Sequence, residues 1–276
     1  MHMRNFIAAI VQIGYSFVAA VQLLSRFPLP VQVPYEERVL RRSVVFYPVV
    51  GLFIGLVLAI AGWGTVLVLP AGTAAAFLTG LWVALTGGLH LDGLMDTADG
   101  VLSHRSRERM LEIMKDSRVG AMGVIVCVLQ LLMKYALLSA LLANDGKLQW
   151  SLLLLVPVWS RWYMTAAIAI WPYARKGEGM GALFREVGTR ELALSSLAAA
   201  VISLAVLAGA LGGTGWSTAA LLSACGAAIS GGAGTLAAAR LARKLGGLTG
   251  DTYGAVNELA ETALLLGVVL YLGGIG

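Results

Sequence analysis

The chain has 276 residues, of which 58% are hydrophobic and 13% charged, with a formal net charge of +5. Soluble domains average about 25% charged residues, so the composition excludes an ordinary soluble protein and indicates one surrounded by membrane lipid. No polar stretch is long enough for a separate soluble unit, and a single membrane-embedded domain over residues 1–276 is expected.

The first apolar run, Asn5 to Ser25, is long enough to cross a bilayer. However, Gln12, Tyr15, Ser16, Gln22 and Ser25 recur at helical spacing and form one polar stripe. That pattern suits an interfacial or re-entrant helix, or one whose stripe faces a polar cavity; a full span is the alternative. The run has no small-residue cleavage pattern at its end, so no cleavable signal peptide is expected. A spanning helix needs about 20 apolar residues. Runs at 44–70, 71–91, 120–143, 149–172, 192–213, 216–239 and 255–274 qualify. The expected fold is all-α: a polytopic membrane helical bundle of about seven transmembrane helices plus an N-terminal amphipathic or re-entrant helix. The first two spans meet at Pro70-Ala71-Gly72, a tight uncharged hairpin. Cys127 and Cys225 sit inside apolar runs without zinc or redox spacing and read as small hydrophobes.

The charges between spans set the orientation. Arg26, Arg38, Arg41 and Arg42 precede the first span; Arg105, Arg107, Arg109, Lys115 and Arg118 follow the second. Arg175, Lys176, Arg185 and Arg190 lie between the fourth and fifth, and Arg240, Arg243 and Lys244 between the sixth and seventh. Sixteen of the twenty basic residues therefore fall on one side, and the opposite loops carry only Lys147. The positive-inside rule places the loops at 26–43, 92–119, 173–191 and 240–254 in the cytoplasm, and the 144–148 loop on the other side. This asymmetry accounts for the net charge without a nucleic-acid partner.

The acids are gathered on the basic side. Between His90 and Gly123 stand Asp92, Asp96, Asp99, Glu108, Glu112 and Asp116, six of the fifteen in the chain. Asp92, Asp96 and Asp99 are spaced i, i+4, i+7 and fall at about 0°, 40° and −20° around a helix, so their carboxylates share one face. Ser103 falls on that face, His104 follows it, and His90 lies on the far side. Aligned carboxylates repel unless a cation sits among them, and hard oxygen sites of this kind suit Mg²⁺ or Mn²⁺ with substrate phosphates. An Asp at membrane depth costs about 2.5–3.5 kcal/mol, which argues against an incidental acidic loop. A second helix, about Arg105 to Lys115, returns Asp116 toward the first three, with Lys115 and Arg118 beside it. Carboxylates for metal beside bases for phosphate is the layout of phosphoryl transfer.

Polar groups from elsewhere are expected to join. The last span opens on "LGGLTGDTYGAVNELAE", which carries Asp251, Asn257, Glu258 and Glu261. Ionisable residues at the start of a membrane helix are functional hypotheses by default, and all four are expected to face the acid cluster, with Asp251 at its rim. Gly246, Gly247, Gly250 and Gly254 either present backbone N–H groups to an anion or form a flexible turn. Lys134 and Arg161 lie inside spans, where each binds a phosphate or pairs with an acid. "SGGAGT", Ser230 to Thr235, is not followed by Gly-Lys-Ser/Thr and reads as a close helix contact. The competing class is a cation transporter. The chain has no convincing internal repeat, and its acids lie at span ends where soluble substrates arrive, which favours an enzyme.

Three of these stretches carry a resemblance. "GGLHLDGLMDTADG" (Gly87 to Gly100), "EIMKDSRVGAMG" (Glu112 to Gly123) and "GGLTGDTYGAVNELAE" (Gly246 to Glu261) resemble the cobalamin synthase family, the adenosylcobinamide-GDP ribazoletransferases. "LLSRFPLP" (Leu23 to Pro30) and "FYPVVGLFIG" (Phe46 to Gly55) resemble it too, so the likeness runs in order along nearly the whole chain. It implies a Mg²⁺-dependent enzyme of the bacterial cytoplasmic membrane. A ribose 3′-hydroxyl of α-ribazole, or of its 5′-phosphate, attacks the cobinamide-side phosphorus of adenosylcobinamide-GDP and GMP leaves. Read from the residues, Asp92, Asp96, Asp99 and Asp116 are expected to bind the metal, with Asp99 and Asp116 catalytic; Asp116 is the carboxylate chosen as base. Substrate contacts are expected from Lys115, Arg118, Ser103, His104, Arg161, Asp251, Asn257, Glu258 and Glu261. An oligomer is compatible with it. A looser similarity links Asp96, Asp99 and Gly100 to the opening of the CDP-alcohol phosphotransferase motif. There Ser103-His104 replace Ala-Arg, Asp116 is one residue out of place, and a fourth acid is missing, a departure that leaves the base unassigned.

Overall fold

The computed structural model describes residues 2–144, 146–175, 179–212 and 215–274. Asp145 of the expected outer loop, Lys176 of the basic group and the last residue of the expected 192–213 span lie outside the described residues. The elements are α1 (His2–Leu24), α2 (Glu37–Ser43), α3 (Tyr47–Val66), α4 (Ala71–Thr86), α5 (Leu89–Val101), α6 (Arg107–Ile113), α7 (Ala121–Leu142), α8 (Leu148–Ile170), α9 (Thr189–Leu211), α10 (Trp216–Leu245) and α11 (Gly250–Gly273). Among the described residues six helical stretches are long and apolar enough to cross a membrane; α4 and α5, bent by 88° at their junction, make a seventh if counted together. The polytopic all-α bundle expected from hydropathy is the observed fold.

Its centre is α8, buried along most of its length between α3, α9, α10 and α11. The backbones of α3 and α8 touch at Gly51 and Gly55. A methyl group on Gly51 would lie 2.8 Å from the Val158 Cα, and one on Gly55 2.9 Å from the Leu154 Cα. In lipid, where apolar burial between helices gains little, such close approach is what holds helices together. The polar stripe of α1 turns onto the segment that follows it. Arg42 donates to the Gln12 Oε1 at 3.1 Å, and Gln22 donates to the Val31 carbonyl at 2.8 Å.

Three boundaries differ from the hydropathy reading. The first span starts earlier, because α2 runs through a 3₁₀ turn (Val44–Phe46) into α3. The seventh starts at Gly250, where Thr249 and Thr252 form reciprocal side-chain caps, so Asp251 sits on the first helical turn. The second does not run straight to residue 91. It stops at Thr86, and Gly87 and Gly88 take φ of 63° and 72°, a left-handed conformation that glycine adopts freely. The Arg26 side chain fills the space where a Gly87 side chain would stand. This pair of glycines turns the acid-bearing helix α5 across the end of the bundle.

Candidate active site

The acids are positioned by a crossing of α5 and α11. A Cβ on Gly93 would lie 2.6 Å from the Asp251 carbonyl oxygen, and one on Gly254 would lie 3.1 Å from the His90 Cα. The two backbones therefore meet directly, which brings Asp92 and Asp251 to one cavity of about 260 Å³. Its lining comes from the end of α1, the start of α3, the start of α5, the end of α8 and the start of α11, all at one end of the bundle. Asp96, one turn along α5, stands in the field of Asp92, Asp251 and Asp99. The carboxylates of Asp92 and Asp96 accept no hydrogen bond and join no ion pair among the described residues.

Asp251 is held by a residue the sequence did not single out. Arg175 Nη2 lies 2.9 Å from the Asp251 Oδ2, and the Thr249 hydroxyl donates to the same oxygen at 3.3 Å. The loop carrying Arg175 is clipped to the α10–α11 turn by two backbone bonds: Ala174 N–H to the Leu248 carbonyl and Leu248 N–H to the Pro172 carbonyl, each 2.8 Å. Arg175 reaches onward into a surface cleft of about 410 Å³ that also contains Arg107 and Lys115. The cleft carries three bases, Arg107, Lys115 and Arg175, and two acids, Glu108 and Glu112, and Arg175 links it to the cavity through Asp251. In sequence Arg175 looks like any other base of a cytoplasmic loop. Only the pairing of two distant turns reveals it.

Of the four acids expected to form one metal site, Asp92, Asp96 and Asp99 act on one another along α5, while no group of three His, Cys, Asp or Glu side chains among the described residues is close enough to enclose an ion. Asp99 has a different task. Its Oδ2 accepts from the Gly120 N–H and its Oδ1 from the Gly123 N–H, both at 2.7 Å, so it caps the start of α7. A carboxylate there satisfies orphan N–H groups and faces the positive end of the helix. Asp116 stands apart from the crossing. Arg118 grips it with its side chain, Nη2 at 2.7 Å, and with its own backbone N–H at 3.1 Å. Those bonds, side chain first, lower the Asp116 pKa to about 2. An efficient base has a pKa near the working pH, so Asp116 is poorly suited to take a hydroxyl proton. Asp116→Asn should therefore leave turnover within about threefold of wild type, since no charge at the crossing changes. Steady-state rates of the purified variant check this, and a loss of about 10²-fold would return Asp116 to the site.

Arg118, engaged with Asp116, is exposed and outside both cavities. The Ser103 hydroxyl donates to the Gly100 carbonyl at 2.6 Å and helps end α5 rather than face the cavity. His104 forms the turn after it, with φ of 53°, and is exposed. The Gly246 and Gly247 N–H groups are spent on the Ala242 carbonyl, so they form a helix cap and not an anion nest. Gly250 lines the cavity.

Asn257, Glu258 and Glu261 are not in the cavity lining with Asp251. They lie deeper on α11, in a buried ionic network. Lys134 Nζ is 2.7 Å from the Glu258 Oε2 and also pairs with Glu261. Arg161 pairs with Glu261, which the Asn257 amide bonds at 3.2 Å. Gln130 donates to the Glu258 Oε2 at 3.0 Å, and Lys134 lies 4.7 Å from the centre of the Trp82 ring. Arg161, fully buried, therefore serves as a counter-ion and is absent from the cavity lining. Of the two roles open to Lys134 and Arg161, pairing with an acid is the one observed.

Fold and site together define a polytopic α-helical membrane protein with carboxylates and arginines converging at one end of its bundle. A family model described as cobalamin-5-phosphate synthase matches residues 16–269, and the chain belongs to that family. It is 42% identical over 259 residues to an adenosylcobinamide-GDP ribazoletransferase of Brevibacillus brevis, covering 92% of this chain and 97% of that one. A protein of the same name from Pseudomonas entomophila is 40% identical, covering 92% and 98%. One from Roseiflexus sp. is 38% identical, covering 91% and 88%. No solved structure matches the chain.

Proposed function

We propose that the chain is an adenosylcobinamide-GDP ribazoletransferase that works at the α5–α11 crossing with Mg²⁺. The observation that carries this reading is the meeting of Asp92, Asp96 and Asp251 with Arg175, beside a cleft that also holds Arg107 and Lys115, in a chain of this family. The ribose 3′-hydroxyl of α-ribazole or its 5′-phosphate attacks the cobinamide-side phosphorus. A new P–O bond forms, the P–O bond to GMP breaks, and the hydroxyl proton passes to a carboxylate. Asp92 lines the cavity and has no partner among the described residues. Arg175, Arg107 and Lys115 hold the phosphate oxygens of the donor from the adjoining cleft. Arg175 also fixes Asp251, so it aligns the two halves of the site.

The donor set fits a hard cation that arrives with phosphates. Mg²⁺ keeps several waters and commonly takes only one or two carboxylates from protein, and three like charges around Asp96 call for a cation there. Asp92 and Asp96 would hold it, and when bound it neutralises charge on the departing GMP. Purified protein in detergent should release GMP only with both donor and acceptor present, and chelation should stop the release. Cation flux through liposomes without GMP formation would instead support the transporter reading.

The site faces the cytoplasm in this proposal, because the site end of the bundle carries the basic loops. In intact bacteria, Ser106→Cys should resist a membrane-impermeant thiol reagent while Asp145→Cys reacts. The reverse pattern would invert the topology.

A further inference from the structure

A separate groove of about 330 Å³ lies behind the acid-bearing helix, between α5, α7, α10 and α11. From α5 it is lined by Leu94, Ala98 and Val101, which stand about 180–240° around the helix from Asp92. The groove therefore runs along the face of α5 opposite the carboxylates, and it shares no lining residue with their cavity. Its other walls include Val126 of α7 and Leu259 of α11. Leu102 and Leu259 are each 40% exposed, so the groove opens on the flank of the bundle, where acyl chains lie.

The charged residues in its lining are Arg240 and Lys244, one turn apart on α10. Neither joins an ion pair among the described residues. Arg240 reaches the Leu236 carbonyl of its own helix and Lys244 the Val101 carbonyl, each at a long 3.5 Å. By contrast, Lys134, Arg161 and Arg175 each hold a carboxylate. Ala237 lines the groove about 10 Å further in along α10, at 1.5 Å per residue from Lys244. The charges thus stand at the helix end on the basic side of the protein, and the apolar part of the groove runs inward from them.

We propose that this groove binds one anionic phospholipid from the leaflet on the basic side. The lipid phosphate sits between Arg240 and Lys244, and the upper part of an acyl chain lies against Ala98, Ala237 and Leu259. Two uncompensated cations above an apolar groove complement an amphiphile with a negative head and a hydrocarbon tail, and basic pockets between membrane helices on the cytoplasmic side take such heads. A zwitterionic lipid brings its own cation to the same place and gains less. A free phosphate leaves the apolar part unfilled.

The test adds dioleoylphosphatidylglycerol or dioleoylphosphatidylcholine, which share the same chains, to delipidated protein in neutral detergent and counts bound lipid by native mass spectrometry. Wild-type protein should retain one phosphatidylglycerol at a concentration about tenfold below that needed for phosphatidylcholine. In the double variant Arg240→Gln, Lys244→Gln the preference should fall to within about twofold. Arg38→Gln with Arg190→Gln removes the same charge from exposed positions outside the groove and should keep the wild-type preference. Ala237→Trp, which fills the groove and leaves both bases, should weaken retention of phosphatidylglycerol by about tenfold. Excess inorganic phosphate should not displace the lipid. Equal retention of the two lipids by wild type, or an equal loss of preference in the two double variants, overturns the proposal. So does displacement by phosphate, which would make this an anion site, or unchanged retention in Ala237→Trp. None of these readouts involves GMP release, so the result stands apart from the transferase reading.

Discussion

Glu261→Ala should destabilise the folded protein by about 3–5 kcal/mol, the range for removing one partner of a buried ion pair. Glu261 is fully buried and is the carboxylate that Lys134 and Arg161 share. Without it Lys134 keeps Glu258, but Arg161 is left with the Ser160 hydroxyl at 3.0 Å and no counter-ion. Arg161 cannot shed its proton to escape, so the full cost of an unpaired charge falls on the folded state. Denaturant or thermal unfolding in detergent measures the loss, with Asp116→Asn as a surface comparison. A midpoint unchanged from wild type would mean that the network is not buried as the structure has it. GMP release should fall as well, because the network ties α7 and α8 to α11, and α11 positions Asp251.

The parts of the architecture that are local in sequence were legible. Apolar runs between charged loops marked the spans, and the i, i+4, i+7 spacing of Asp92, Asp96 and Asp99 marked a helix, which is α5. The bend before α5 was not legible, because Gly87 and Gly88 fit an apolar run, and the Arg26 side chain that occupies the place of a Gly87 Cβ lies some sixty residues away in sequence. The role of Asp99 was hidden for a similar reason. Its partners, Gly120 and Gly123, lie more than twenty residues away and carry no side chain to suggest a contact. Asn257, Glu258 and Glu261 stood out as costly residues in a span, and so did Lys134 and Arg161. That they neutralise one another becomes visible only when α7, α8 and α11 are packed together. Asp116 shows another limit of the sequence: its proximity to the other acids suggested a shared site, and the pairing with Arg118, two residues on, is visible only in the structure.

The central proposal is that the carboxylates at the α5–α11 crossing, and not the whole acidic stretch, supply the charge for phosphoryl transfer. Asn is close to Asp in shape and lacks its charge. Asp92→Asn and Asp96→Asn should therefore keep the fold and lose electrostatic stabilisation of the transition state. Each loss should reach about 10²-fold or more, at about 1.4 kcal/mol per tenfold. The decisive measurement is acceptor-dependent GMP release by both variants across a Mg²⁺ titration. The account predicts a deep loss at low Mg²⁺ that is partly recovered as Mg²⁺ rises, with Asp116→Asn close to wild type throughout. Near-wild-type release by Asp92→Asn and Asp96→Asn at low Mg²⁺ would contradict it.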